Sequence, residues 1–256
     1  MCLLLLSIKS HPVYKLIVAF NRDEYYDRPT TPAAFWEDEP DLLGGRDLRA
    51  GGTWLGIARN GRIGVITNYC DPASIKDDAL SRGKLVSNFL LYQQTAVDYL
   101  DGLIRDEDMY NGFNIILGEK DRIYWYSNRD HRPRNLLPGI YGLSNHLLDT
   151  PWSKVIRGKD ALSSLFSRLK APSPEDIFQI LQDRSISPDE SLADLEFDRE
   201  WESLLLPIFV SSPTFGTRSS TLLLIDQRDH VTFIERTFNA EGNNAGTKKY
   251  EFQIED

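Results

Sequence analysis

Met1-Cys2-Leu3-Leu4-Leu5-Leu6-Ser7-Ile8 opens the sequence, and Leu16-Ile17-Val18-Ala19-Phe20 then runs straight into Asn21-Arg22-Asp23-Glu24. Both apolar runs have the length of buried strands, and the second meets four polar residues without a spacer. Downstream, Asp27 to Asp41 reads as a loop punctuated by Pro29, Pro32 and Pro40. Thr53 to Ala58 and Arg62 to Asn68 flank Arg59-Asn60-Gly61, a turn of hairpin type. Helical spacing follows. Ser81 precedes Leu85, Val86, Phe89 and Leu90, and Thr95 with Asp98 forms a capping signal before Leu100, Leu103 and Ile104. Strand patterns return at Phe113 to Leu117, Arg122 to Ser127 and Gly139 to Ser144. Helix starts come next, at Thr150-Pro151 and at Ser173-Pro174 with Asp176. Ser219 to Ile225, Val231 to Phe238 and Tyr250 to Ile254 close the chain as strands. The order of strands, helices, strands, helices, strands predicts an α+β fold, read most simply as one domain over 1–256. The acidic stretch 184–206 reads as a lid or a surface excursion.

Composition sets the limits. The 256 residues are 41% hydrophobic, 11% aromatic and 26% charged, enough for a packed core. Lys and Arg total 29 against 38 Asp and Glu, a formal net charge of −9, with no basic run, so nucleic acid is not expected as a partner. Cys2 and Cys70 are too few for a disulfide framework, and no Cys/His spacing suits a metal. The apolar stretch Cys2 to Leu6 has no basic residues before it and is too short for a signal peptide or a membrane span. These features predict a cytoplasmic protein with no integral membrane segment.

The chemistry-bearing residues gather where apolar strands begin or end. Cysteine is small enough for an initiator methionine to be trimmed before it. Cys2 would then carry a thiol and a free α-amine, a nucleophile and a base on one residue. The alternative is a small buried residue in a strand. In Asn21-Arg22-Asp23-Glu24 a carboxylate could orient that amine and an arginine could balance its charge, or the run could be a solvated turn. Thr67-Asn68-Tyr69 and Gly142-Leu143-Ser144-Asn145 end two further strands, placing Asn68 and Asn145 as turn residues or as uncharged donors to an oxyanion. Phe215-Gly216-Thr217-Arg218-Ser219 precedes another. The pattern predicts a site at a sheet edge.

Those motifs in that order, with Gly51-Gly52-Thr53-Trp54-Leu55-Gly56 and the Tyr250-Glu251-Phe252 ending, closely resemble the NRDE family, also called the transport and Golgi organisation protein 2 family. The family is similar in turn to N-terminal nucleophile hydrolases of the cholylglycine hydrolase and penicillin V amidase type. That resemblance implies a four-layer αββα sandwich with mostly antiparallel central sheets, and hydrolysis of a linear amide C–N bond. It implies Cys2 as nucleophile, its α-amine as base, Asp23 as the group that orients the amine, Asn68 and Asn145 at the oxyanion, and Arg218 near the thiol, with Asn21 and Arg22 as contributors. The amidase pattern has an arginine three residues before the aspartate. Here Phe20 stands in that place, and Arg22, next to Asp23 on an extended segment, would point to the opposite side from it. No cofactor is required for this chemistry.

The resemblance also implies an alternative without catalysis, a carrier of haem or of an acyl-CoA or lipid ligand. For haem, His146 would be the iron ligand, held non-covalently because no CxxCH motif exists. A lone histidine can equally be an ordinary surface or hydrogen-bonded residue.

Overall fold

The computed structural model describes residues 2–119, 121–169, 171–186 and 206–255, so positions 187–205 of the acidic stretch lie outside the described residues. Along the chain run β1 (Leu3–Ile8), β2 (Tyr14–Tyr25), β3 (Thr30–Phe35), β4 (Leu42–Asp47), β5 (Leu55–Ala58) and β6 (Ile63–Asn68). Then come α1 (Gly83–Leu91), α2 (Ala96–Arg105), β7 (Phe113–Glu119), β8 (Arg122–Ser127), β9 (Arg134–Leu136) and β10 (Gly139–Leu143). Last are α3 (Ser153–Arg168), α4 (Pro174–Leu181), β11 (Phe215–Asp226), β12 (His230–Phe238) and β13 (Asn244–Gln253).

The chain divides into two compact units. The first comprises Met1–Asp27, Pro138–Ser144 and Leu148–Glu251. It holds a six-stranded sheet in the order β10-β1-β2-β11-β12-β13. One face of this sheet is covered by α3 and α4. Leu3, Leu5, Ile17, Ala19, Leu222 and Leu224 meet Val155, Leu162, Leu165, Ile177, Phe178 and Leu181 in one buried cluster. Alternation along a strand explains why odd positions of β1 and β2 share that face. Contact is close, because a Cβ on Gly158 would fall 2.8 Å from Leu5 Cδ2. The start of α4 is fixed by a complete capping box between Ser173 and Asp176, as its sequence signal predicts.

The second unit comprises Arg28–Leu137, Asn145–Leu147 and Phe252–Asp256. Its seven strands follow chain order, β3 to β9, in one antiparallel meander. The predicted hairpin joins β5 to β6, and Gly61 takes a φ of 80°, a left-handed conformation that glycine adopts without a side-chain clash. Helices α1 and α2 bury Val86, Phe89, Leu100 and Leu103 against Phe113, Ile115 and Leu117. Each unit thus pairs one antiparallel sheet with one helical layer, and the fold is α+β.

Three sequence expectations need correction. The second apolar strand does not end at Phe20, because β2 continues through Asn21 to Glu24 as far as Tyr25. The proline-punctuated stretch after Asp27 contains β3, which pairs with β4. The polar strand ends at Asn21 to Glu24 belong to interior strands of the first sheet, not to a sheet edge.

Candidate functional site

Cys2 sits at the entry to β1 and is buried, with its thiol sulfur 3.9 Å from the Asp23 carbonyl oxygen. Ser144 holds the backbone here, donating its hydroxyl to the Cys2 carbonyl oxygen at 2.8 Å. The ladder between β1 and β2 opposes Leu3 to Asn21, which brings Cys2 level with Arg22. Alternation then sorts the side chains. Asn21 and Asp23 follow Ile17 and Ala19 on the helix-covered face, whereas Arg22 follows Phe20 and, with Cys2 and Leu4, takes the opposite face. Arg22 is therefore on the thiol's side of the sheet. It is buried, ion-paired to Glu24 at 3.5 Å, and its charge favours the Cys2 thiolate.

On the other face, Asp23 is buried and accepts a 2.7 Å hydrogen bond from the Thr217 hydroxyl, which itself accepts one from the Val210 amide at 2.9 Å. Asn21 is fully spent on structure. Its amide donates to the carbonyls of Leu181 and Ile208 at 2.7 and 3.0 Å, and its oxygen accepts from Ser220 at 2.6 Å. The ladder places Thr217 opposite Asp23 and Ser219 opposite Arg22, so Arg218 is the extra residue of a β-bulge. Its guanidinium donates to the Tyr25 carbonyl at 3.2 Å, with Glu24, Tyr26 and Asp27 as the acidic groups acting on it. Arg22 is among the charges that act on the Cys2 thiol.

Burial pushes the thiol of Cys2 up from its ordinary value, and the Asp23 charge adds to that. Burial also raises the Asp23 carboxyl, against which the cations around it, Lys154 among them, and the Thr217 hydrogen bond act. The thiol is thus protonated at neutral pH and needs a base before it can attack.

In the second unit the polar residues form a neutral network. Asn145 is buried, and its side-chain amide donates to the Asn68 backbone carbonyl at 2.8 Å, while its backbone carbonyl accepts from the Cys70 backbone amide at 2.8 Å. The Asn68 side chain is exposed at the end of β6, where an amide can donate to an anionic oxygen. The Tyr69 hydroxyl and His146 Nε2 are 2.9 Å apart, with the rings tilted against each other, and Asn114 donates to the His146 carbonyl at 2.9 Å. An iron held through Nε2 would have to displace Tyr69.

Residues 1–240 match the family described as Transport and Golgi organisation 2. The chain belongs to that family. A homologue of Transport and Golgi organization 2 from Mus musculus is 36% identical over 276 residues, covering 100% of both chains. The Drosophila melanogaster Transport and Golgi organization protein 2 is 28% identical over 263 residues, covering 93% of this chain and 92% of its own. Among solved structures, the C2A mutant of conjugated bile acid hydrolase from Clostridium perfringens shares the fold, with a TM-score of 0.51 at 9% identity, covering 99% of this chain and 98% of that one. The resemblance drawn from the motifs is therefore correct for the family and for the N-terminal nucleophile hydrolase fold.

Three buried residues of the site carry no distinct signal in the sequence. Ser144 and Thr217 lie inside recognisable motifs, but their hydroxyls give no signal of their partners, Cys2 and Asp23. Lys154 sits in the first turn of α3, where a lysine ordinarily marks a solvated face. Here it is 1% exposed. Among the described residues, no helix is long and apolar enough to cross a membrane.

Proposed function

We propose that this protein is an N-terminal cysteine hydrolase of linear amides, with Cys2 as nucleophile after removal of Met1. The observation that carries the reading is the placement of Cys2, its sulfur against the Asp23 carbonyl and its own carbonyl pinned by Ser144. The thiol lies on one face of the sheet and the Asp23 carboxylate on the other. The α-amine exposed by loss of Met1 belongs to the same residue as the thiol, so base and nucleophile arrive together. Burial keeps the thiol protonated, so the reaction needs such a base within the residue's own reach.

In this reading the α-amine takes the thiol proton as the sulfur attacks the amide carbonyl carbon. The resulting ammonium returns that proton to the leaving amine as the C–N bond breaks, leaving a thioester. Water, deprotonated by the same amine, then cleaves the thioester, releasing a carboxylic acid and restoring the thiol. Asp23 orients the amine in both halves, and Thr217 fixes Asp23. The fold shared with a conjugated bile acid hydrolase supports the reaction class, though not a particular substrate.

The test is an amidase screen of the mature protein, with Cys2→Ala and Cys2→Ser alongside and intact mass to establish loss of Met1. Cys2→Ala is expected to lower turnover by ~10³-fold or more. Unchanged turnover in Cys2→Ala, or a mature chain that keeps its methionine, would overturn the reading.

A further inference from the structure

A lysine buried without a partner is a costly feature, because an ammonium taken from water loses its hydration and must recover it from charges or acceptors nearby. Lys154 is such a group. It is 1% exposed, and its Nζ makes no hydrogen bond among the described residues. Its position is dictated by the packing of α3. Val155 packs against Gly142 of β10, where a Cβ would come within 2.6 Å of Val155 Cγ1, and Gly158 lies over Leu5 of β1. Lys154, one turn before Gly158, extends toward the helix N-terminus as helical side chains do. The face of the sheet that α3 covers is the one to which Asp23 of β2 belongs, in step with Ile17 and Ala19, and Asp23 is among the groups that act on Lys154.

We propose that Lys154 is a positioning residue of the Cys2–Asp23 site, its ammonium supplying from α3 a positive charge that the buried Asp23 carboxylate shares with the α-amine. The proposal rests on the reading of Cys2 and Asp23 given above and assigns them a third member from a separate element. The groups acting on Lys154 are Asp23 from β2, Cys2 from the chain start and Arg157 from its own helix; the first two favour its charged form and the third opposes it. The groups acting on Cys2 include Asp23 and Arg22. Lys154 is thus the cation on the carboxylate's face of the sheet, as Arg22 is on the thiol's face. With the carboxylate shared between Lys154 and the α-amine of a trimmed chain, the amine is held less tightly as an ammonium. It can then exist as a free base closer to neutral pH.

The experiment follows the rate of alkylation of Cys2 by iodoacetamide against pH, read by peptide mass in a Cys70→Ser background. Lys154→Met and Lys154→Arg are compared with the parent. Loss of the cation is expected to move the profile of Lys154→Met upward by about one pH unit, slowing alkylation at pH 7 roughly tenfold. Lys154→Arg is expected to keep the parent profile, which a merely space-filling role would not require. Superimposable profiles for Lys154→Met and parent would overturn the proposal. If Lys154→Met does not fold, carbon-13 NMR of labelled lysine reads the same coupling in the parent and Asp23→Asn proteins. The Lys154 titration should fall to lower pH in Asp23→Asn, and an unmoved titration would overturn the proposal. Neither readout needs turnover, so failure here is distinct from failure of the hydrolase reading, which Cys2→Ala decides.

Discussion

The two units treat buried polarity in opposite ways. In the first, Cys2, Arg22, Asp23 and Lys154 bring ionisable groups to the end of β2, and burial displaces the thiol, the carboxyl and the lysine from their ordinary titration ranges. In the second, Asn68, Asn145, Asn114, Tyr69 and His146 build a network of amides, a hydroxyl and an imidazole around the end of β6. The first arrangement is sensitive to proton concentration and to the loss of any one charge. The second rests on dipoles, each bond of which contributes about 1 kcal/mol. Proton-transfer chemistry belongs with the first kind of surroundings, which is why the proposed reaction is placed at Cys2.

The sharpest test of that contrast is Asp23→Ala. It strands the Lys154 ammonium and is expected to cost about 3–5 kcal/mol in urea unfolding at neutral pH. The double variant Asp23→Leu/Lys154→Met, which removes both charges, should recover most of that loss. A double variant as unstable as the single would break the coupling.

Titration sharpens the same point. The raised carboxyl of Asp23 means that the folded state holds its proton more tightly than the unfolded chain does. Its contribution to stability is therefore fully present below the ordinary carboxylate range and is lost as pH rises through the raised folded value. Asp23→Asn should flatten that part of the stability–pH curve, measured by urea midpoints across acidic pH.

Thr217→Val comes next. It removes the hydroxyl from Asp23 and from the Val210 amide, for an expected loss of about 1–3 kcal/mol. In the neutral network the corresponding change is smaller. Tyr69→Phe deletes one hydrogen bond to His146 and should cost about 1 kcal/mol by thermal or urea unfolding. A loss as large as that of Asp23→Ala would erase the distinction between the units.

Much of the scaffold is legible in the sequence because its signals are local. The turn at Gly61, the Thr95 cap on Asp98 and the Ser173 capping box each involve residues a few positions apart, and each appears as read. The extension of β2 through Asn21 and Asp23 is not local. Its polar side chains are satisfied by Ser220 and Thr217, which stand almost two hundred residues later. Without sight of β11, a polar run after an apolar one reads as a turn. Strand β3 was hidden by Pro32 within it and Pro29 before it, since it pairs with β4 through an irregular register that tolerates Pro32. For the proposed site, Cys2 and Asp23 carried signals in their motifs. Lys154 did not, because only the approach of α3 to β1 and β10 turns that face of the first helical turn inward.

The bulge at Arg218 carries a consequence of its own. Thr217 and Ser220 are three positions apart, yet they bond to Asp23 and Asn21, which are two apart. The extra residue resets the inside-outside rhythm of β11 between them. The extra peptide, not the guanidinium, sets that rhythm. Exchanging Arg218 for another side chain leaves Thr217 aimed at the carboxylate, and a strand lacking that one residue would bring Thr217 and Ser220 into step with Asp23 and Asn21 on an unbulged ladder.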